Sequence, residues 1–244
     1  MISRRSLAAL AAALPLAAGC SGADAVKAQQ LLDEAQQAQQ NVSSETFSAH
    51  MNVSLKGQHF QLQLSGGGYQ KGANAGDMYV DVHFSAPVAM PFSTMRVAKV
   101  GGSEWLELDG RRVAVPTTRT QTGTTNPALA AFDFTRYVKD VKVEGGQTLN
   151  GRSVTKIVGV LDTASLLNAF TKLGGLSHAT GTSMPSFAGH VSDTRVVAYL
   201  DDTTHMLVTA LADLTFHTTE GNVAMHFDVA ITGVNKPVAL PTAT

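Results

Sequence analysis

The sequence predicts an α+β fold, a single curved antiparallel sheet with helices packed on its concave face. From Thr46 onward, apolar and polar side chains alternate with a period of two over many short runs, which is typical of half-buried strands. Turn sequences separate these runs, and three stretches of helical periodicity precede or interrupt them. A sheet of this length twists and tends to curl, so we expect the helices to lie against its concave face.

The first twenty residues, MISRRSLAALAAALPLAAGC, have the layout of an export signal. Arg4 and Arg5 precede an Ala- and Leu-rich run, and small residues come before Cys20, the only cysteine in the chain. The stretch resembles a bacterial lipoprotein signal, in which the cysteine is acylated and becomes the new N-terminus. We therefore predict a signal peptide at residues 1–19 and a lipid on Cys20 that anchors the exported protein to the outer face of the cell membrane.

Two features of this signal stay open. An ordinary signal, cut near Gly22–Ala23, would leave Cys20 unmodified. The segment Ser3–Leu7 also resembles a twin-arginine export signal, but adjacent arginines are common in ordinary signals too, so the export route has two candidates.

Composition limits what the exported chain can do. The 225 residues from Cys20 onward carry 16 Lys and Arg against 19 Asp and Glu, a formal charge of −3 without a basic run. Nucleic acid is not an expected partner, because binding it requires clustered cations. The whole sequence is 44% hydrophobic and 15% charged, so the chain either buries a large core or keeps an apolar cavity. With its only cysteine at the anchor, the domain has no disulfide and depends on packing.

The first half of the exported chain is predicted to be a helix followed by strands. We assign residues 20–25 to a lipidated tether and residues 26–244 to one folded domain. Val26–Val42 has strong helix formers throughout, and its apolar residues recur at three- and four-residue steps, which predicts an amphipathic helix. A hairpin of two long strands follows with Gly57 at its turn, and Gly66–Gly68 is predicted to end the second strand. Further strands are predicted at Met78–Phe84, Thr94–Val100, Glu104–Leu108 and Arg112–Val115.

The second half combines two inner helices with five strands. Asn126-Pro127 is a favourable start for a helix at Ala128–Val138. Thr163 is a candidate cap for a second helix at Ala164–Leu173. The predicted strands are Val141–Glu144 and Ser153–Val160, which pair around Asn150-Gly151, and then Thr194–Leu200, Met206–His217 and Asn222–Val234.

The apolar positions of these elements define a candidate ligand cavity. Periodicity identifies the buried face of each element, but it leaves open whether side chains fill the space behind the strands or a cavity remains. The candidate wall consists of Leu, Val, Phe and Met, which suit an apolar ligand. Its residues are Met51, Val53, Phe60, Leu62, Leu64, Met78, Val80, Val82, Phe84, Phe132, Leu166, Leu167 and Phe170.

Three segments carry a resemblance to a known family. Val143–Phe170 reads VEGGQTLNGRSVTKIVGVLDTASLLNAF, a strand, an LNGR turn, a second strand and a short helix. Arg195–Phe216 contains a strand, an acidic turn and HMLV, and the chain finishes with GVNKPVALP at Gly233–Pro241. Together with the N-terminal helix that leads into Ser48-Ala49-His50, this order resembles the actinobacterial lipid-carrying lipoproteins of the LppX/LprG type.

The resemblance implies a fold and a function. These proteins share the LolA/LolB carrier fold, an unclosed β-barrel whose helices cover a hydrophobic cavity. For this chain it implies binding of an acylated lipid or lipoglycan and its transport across the envelope. An envelope transporter is then a candidate partner, beside the membrane that holds the N-terminal acyl anchor. No catalytic residues carry over from the family.

The sequence contains no recognisable enzyme motif. G-x-S-x-G, H-E-x-x-H and the P-loop are all missing. His217 and His226 flank the last turn and could face one another across the hairpin, but no third ligand accompanies them. We predict no catalytic residue, no metal and no cofactor. Two alternatives to a lipid carrier stay open: a membrane-anchored structural or protein-binding module with a filled core, and an anchored hydrolase without a recognisable motif.

Overall fold

The computed structural model describes residues 20–87, 91–113, 138–163, 190–192, 194–218 and 221–242. Within these ranges one helix, α1 (Cys20–Gln40), precedes twelve strands. The strands are β1 (Ser44–Leu55), β2 (Gln58–Tyr69), β3 (Met78–Ser85), β4 (Thr94–Val100), β5 (Ser103–Leu108), β6 (Arg111–Val113), β7 (Val138–Leu149), β8 (Arg152–Leu161), β9 (His190–Ser192), β10 (Arg195–Asp201), β11 (Leu207–Thr218) and β12 (Gly221–Val234).

All twelve strands form one antiparallel sheet, which confirms the predicted fold class. Across the sheet the order is β6-β5-β4-β3-β2-β1-β12-β11-β10-β8-β7, and β9 pairs with β11 next to the end of β10. The long pairing of β1 with β12 joins the first half of the chain to the second. Among the described strands β6 and β7 form the two edges and do not pair with each other, so the sheet is not closed.

Local turn chemistry explains the hairpins. Lys56-Gly57, Asp109-Gly110 and Asn150-Gly151 each have two residues with positive φ, between 46° and 78°. This is the geometry of a tight hairpin turn that matches the twist of its strands, and Gly, Asn and Asp tolerate it best. The turns predicted at Gly57 and at Asn150-Gly151 are therefore confirmed.

The observed elements differ from the predicted ones at several places, and strand β9 was not predicted. Helix α1 begins at Cys20 rather than Val26 and ends at Gln40. Strand β2 continues through Gly66–Gly68 to Tyr69, so the glycines do not end it. Val138, predicted as the last residue of a helix, is the first residue of β7. The predicted helical residues 128–137 and 164–173 lie outside the described part of the chain.

Helix α1 packs on one face of the sheet, which we call the helix face. Ala28, Leu32 and Ala35 are spaced at three and four residues and are buried in one cluster with Ile157 and Leu200. At the turn between β10 and β11, His205 Nδ1 lies 2.9 Å from Glu34 Oε2. Among the described residues, no helix has the length and apolarity required to cross a bilayer.

The C-terminal tail covers part of the other side, which we call the opposite face. The backbone N–H of Val238 donates to the Tyr69 hydroxyl at 2.8 Å. Farther along, Arg112 donates to the carbonyl of Thr242 at 3.0 Å, and its guanidinium lies 4.5 Å from the ring centre of Trp105. The two hydrogen bonds tie the tail to β2 and β6.

The turn at Asp109 provides a test of how stability depends on pH. Asp109 Oδ1 accepts hydrogen bonds from the backbone N–H groups of Thr94 at 2.9 Å and Ser93 at 3.0 Å, and from both hydroxyls. These hydrogen bonds hold the pKa of Asp109 below its ordinary value of 3.8, and the bond from the backbone N–H of Thr94 has the largest effect. Since the folded pKa is the lower one, its contribution to stability is complete above about pH 4 and is lost as the pH falls through the folded value.

We expect Asp109→Asn to be less stable than the wild type at neutral pH and to lose less stability on acidification. Asn tolerates the positive φ of this position but cannot supply an ionised acceptor. The measurement is the urea midpoint of both proteins at several pH values between about 7 and 2. Parallel pH profiles for the two proteins would contradict this account of Asp109.

Candidate functional site

The predicted cavity residues within the described chain all lie on the helix face. Cross-strand pairing places Met51 opposite Leu62 and Leu62 opposite Phe84. The same register continues through the other strands, since directly opposed residues share a face. On this face lie Met51, Val53, Phe60, Leu62, Leu64, Met78, Val80, Val82 and Phe84. The other four predicted residues, Phe132, Leu166, Leu167 and Phe170, lie outside the described residues.

The row of residues that crosses β1 continues to the region under α1. Ala49 is opposite Val229, which is opposite Ala210, and Ala210 is opposite Ala198. Ala198 in turn pairs with Ile157, which packs in the cluster with α1. The helix and the nine predicted residues therefore share one face of the sheet.

Side-chain size and burial divide the helix face into two regions. In the central strands it carries small residues that are completely buried, with Ala49, Ala198, Ala210 and Ala212 at most 2% exposed. Over β1 to β3 it carries large apolar residues; of the nine predicted ones, Val82 is buried, at 5% exposure, and the other eight are half-buried. Large apolar side chains thus lie together on β1 to β3 without being fully covered, and we call this region the apolar wall.

Neighbouring strands extend the apolar wall beyond the predicted residues. Val97 and Leu106 continue it on β4 and β5, because they pair in register with Val80 and with each other. On the other side Met225 and Phe227 of β12 pair with Val53 and Met51. All four are half-buried. Their alternation was visible in the sequence, but the order of the strands across the sheet was required to place them beside the wall.

Histidines on the opposite face contact polar side chains of neighbouring strands. His50 Nδ1 lies 3.1 Å from Asp228, and His226 Nδ1 lies 2.6 Å from Asp213. His217 contacts Asn222 at 2.8 Å through Nδ1 and Ser192 at 2.9 Å through Nε2, so the expectation that His217 and His226 could face one another was wrong. The register explains this, because His226 lies opposite Asp213. Among the described residues, no group of three His, Cys, Asp or Glu side chains could hold a metal ion.

An open groove of about 530 Å³ lies where four strands meet at the end of the sheet near Lys56. Its polar residues, among them Asn52, His59 and Thr215, belong to the opposite face, and Val53 and Phe60 also line it. The groove therefore offers hydrogen-bond donors and acceptors beside apolar side chains, and it shares Val53, Phe60 and Met225 with the helix face.

Comparison with known proteins relates this architecture to solved structures. No protein-family model and no curated protein matches the sequence. The structure of LprF from Mycobacterium bovis matches over 89% of this chain and 97% of its own, with a TM-score of 0.54 at 15% sequence identity. The Mycobacterium tuberculosis lipoprotein LppX matches over 88% of this chain and 99% of its own, at 14% identity and a TM-score of 0.40. The chain therefore has the fold of LprF, and the resemblance to lipoproteins of the LppX/LprG type is confirmed at the level of the fold.

Proposed function

We propose that this protein is an exported lipoprotein that binds the acyl chains of a lipid or lipoglycan against the apolar wall and carries the lipid across the envelope. The observation that carries the proposal is the contiguous set of large, half-buried apolar side chains on β1 to β3. Covering such a surface releases about 25 cal/mol per Å² of apolar area, and each buried methylene adds about 0.8 kcal/mol. A long acyl chain suits such a surface, because the chain consists of methylene groups and carries no polar group that would lose hydration.

The anchor belongs to the same proposal. We assign residues 1–19 to a signal peptide and the acyl groups to Cys20, as the signal sequence indicates. Because α1 begins at Cys20 and packs on the sheet, the helix itself connects the anchor to the domain. The apolar wall would then be held close to the membrane, from which a lipid can be taken up.

The proposed role is binding and transport without catalysis. Its support is the resemblance to proteins of the LppX/LprG type, from which no catalytic residues carry over to this chain. An envelope transporter is the partner that such a role would require. The competing function is an anchored module with a filled core that acts through its surface.

Native mass spectrometry tests the proposal. The full chain with Cys20→Ser, so that no covalent lipid contributes, is extracted in mild detergent from a lipid-containing bacterial host. We expect an added mass that organic extraction removes and that identifies the cargo. A protein mass without added lipid, together with no uptake of a fluorescent fatty acid, would contradict lipid binding and favour the module with a filled core.

A further inference from the structure

Three cations surround one carboxylate at the β7 edge of the sheet. Lys156 Nζ lies 2.8 Å from Glu144 Oε2, whereas Lys142 and Arg195 stay 3.9 Å from the same carboxylate, beyond hydrogen-bond length. The Lys142 and Arg195 side chains are 62% and 60% exposed. Both therefore keep hydrogen-bond donors that no described residue satisfies. The hydrogen bond from Lys156 holds the pKa of Glu144 below its ordinary value, so this carboxylate is ionised at neutral pH and attracts all three cations.

An irregularity in β7 brings two lysines to one face. Lys139 and Lys142 are three residues apart, so a regular strand would direct them to opposite faces. Their partners on β8, Val160 and Val158, are only two residues apart and share the opposite face. The extra residue forms a β-bulge, in which Asp140 has a φ of 51°. The bulge therefore places on one face two positive charges that a regular strand would place on opposite faces.

The cluster borders a groove. Lys142, Glu144 and Arg195 line an open volume of about 390 Å³, and Val158 and Val160 also line it. With Lys139, the cluster contains four cations and two acids, Asp140 and Glu144. The other three cations are Lys142, Lys156 and Arg195. The local charge of +2 contrasts with the formal charge of −3 of the exported chain.

We propose that this groove binds the phosphate group of an anionic ligand, either free phosphate or the headgroup of a phospholipid. Phosphate oxygens accept charge-assisted hydrogen bonds from Arg and Lys, and the planar guanidinium can supply two parallel ones. Lys142 and Arg195 are the two cations with donors available for it. The groove is separate from the apolar wall. Its cations lie on the opposite face near the β7 edge, whereas the wall lies on the helix face over β1 to β3. This proposal goes beyond acyl-chain binding, which would stand if the groove bound nothing.

The test compares two double variants of the full chain in dodecyl maltoside. Lys142→Gln with Arg195→Gln removes the two available cations. Lys71→Gln with Lys236→Gln removes the same charge from exposed positions outside the groove and is the matched control. Inorganic phosphate is titrated by calorimetry at low ionic strength, and mixed micelles containing phosphatidylglycerol or phosphatidylcholine are titrated separately.

We expect the groove variant to bind phosphate about tenfold more weakly than the wild type, and the control to bind within about twofold. The same loss with phosphatidylglycerol, but no effect with phosphatidylcholine, would identify a lipid headgroup as the source. Binding of inorganic phosphate without phosphatidylglycerol would identify the free anion. If the wild type bound neither, or if both double variants lost binding equally, the proposal would be overturned.

Discussion

Replacing Leu62 with Lys is expected to lower the affinity for a long-chain fatty acid by at least about tenfold. Leu62 lies in the middle of the apolar wall, opposite Met51 on β1 and Phe84 on β3. An ammonium group at this position must either lose hydration beside an acyl chain or hold water in its place. Removing the contact of two or three methylenes costs about 1.6–2.4 kcal/mol, which corresponds to a factor of more than ten in the dissociation constant.

Gln63→Lys is the matched control. Gln63 is the next residue on β2, is exposed, and lies on the opposite face between His50 and His83. The two variants add the same charge one residue apart, so they differ only in the face of the sheet. Binding of a fluorescent fatty acid is the measurement, and Leu62→Met, which keeps an apolar side chain, should bind within about threefold of the wild type.

The outcome tests the assignment of the acyl site to the apolar wall. Loss of binding in Leu62→Lys, with Gln63→Lys unchanged and with urea midpoints that show both variants folded, would assign the acyl site to the apolar wall. Equal affinities of Leu62→Lys and Gln63→Lys would place the ligand elsewhere and contradict the assignment.

Replacing Gly66 with Ala is expected to destabilise the protein by about 2–3 kcal/mol, in the range measured when well-packed interiors are overfilled. A Cβ at this position would lie 2.5 Å from the carbonyl oxygen of Tyr79 and 2.9 Å from the ring of Phe47. The carbonyl belongs to the neighbouring strand and cannot move without disturbing the pairing of β2 with β3. For a chain of this size, the melting temperature should fall by about 4–12 °C.

Gly146→Ala is the control for this second prediction. Gly146 also lies in a strand, has no positive φ, and would place its Cβ 3.7 Å from the nearest atom, the carbonyl oxygen of Val154. Its substitution should change stability by no more than about 1 kcal/mol, because Ala fits and restricts the unfolded chain. Similar shifts of the unfolding midpoint in both variants would show that the close contacts at Gly66 have relaxed without cost.

The sequence by itself determined the strands and most of their turns. Alternation over residues such as Met51, Val53, Phe60 and Leu62 is a local signal, because successive side chains of a strand point to opposite faces. Asn150-Gly151 is equally local, since the turn depends on the φ values that these two residues tolerate. For the same reason the nine described candidate cavity residues lie on one face of the sheet.

Tertiary structure decided what local signals could not. The run Gly66–Gly68 was expected to end a strand, but β2 continues through it because Phe47 and Val238, which are distant in sequence, approach these glycines closely. Likewise, the bulge at Asp140 depends on pairing with β8 and places Lys139 and Lys142 on one face. Both features arise from contacts between separate segments.

The openness of the apolar wall is decided in the same way. Alternation marks Leu62 and Ile157 equally as residues of a buried face, yet Ile157 packs in the cluster with α1 at 1% exposure and Leu62 is only half-buried. The difference depends on which elements pack over each strand: α1 packs in the second half of the sheet, against β7, β8 and β10. Side-chain pattern therefore determined which face is apolar, while the order of the strands and the position of the helix determined where that face stays accessible, because coverage is a property of non-local packing.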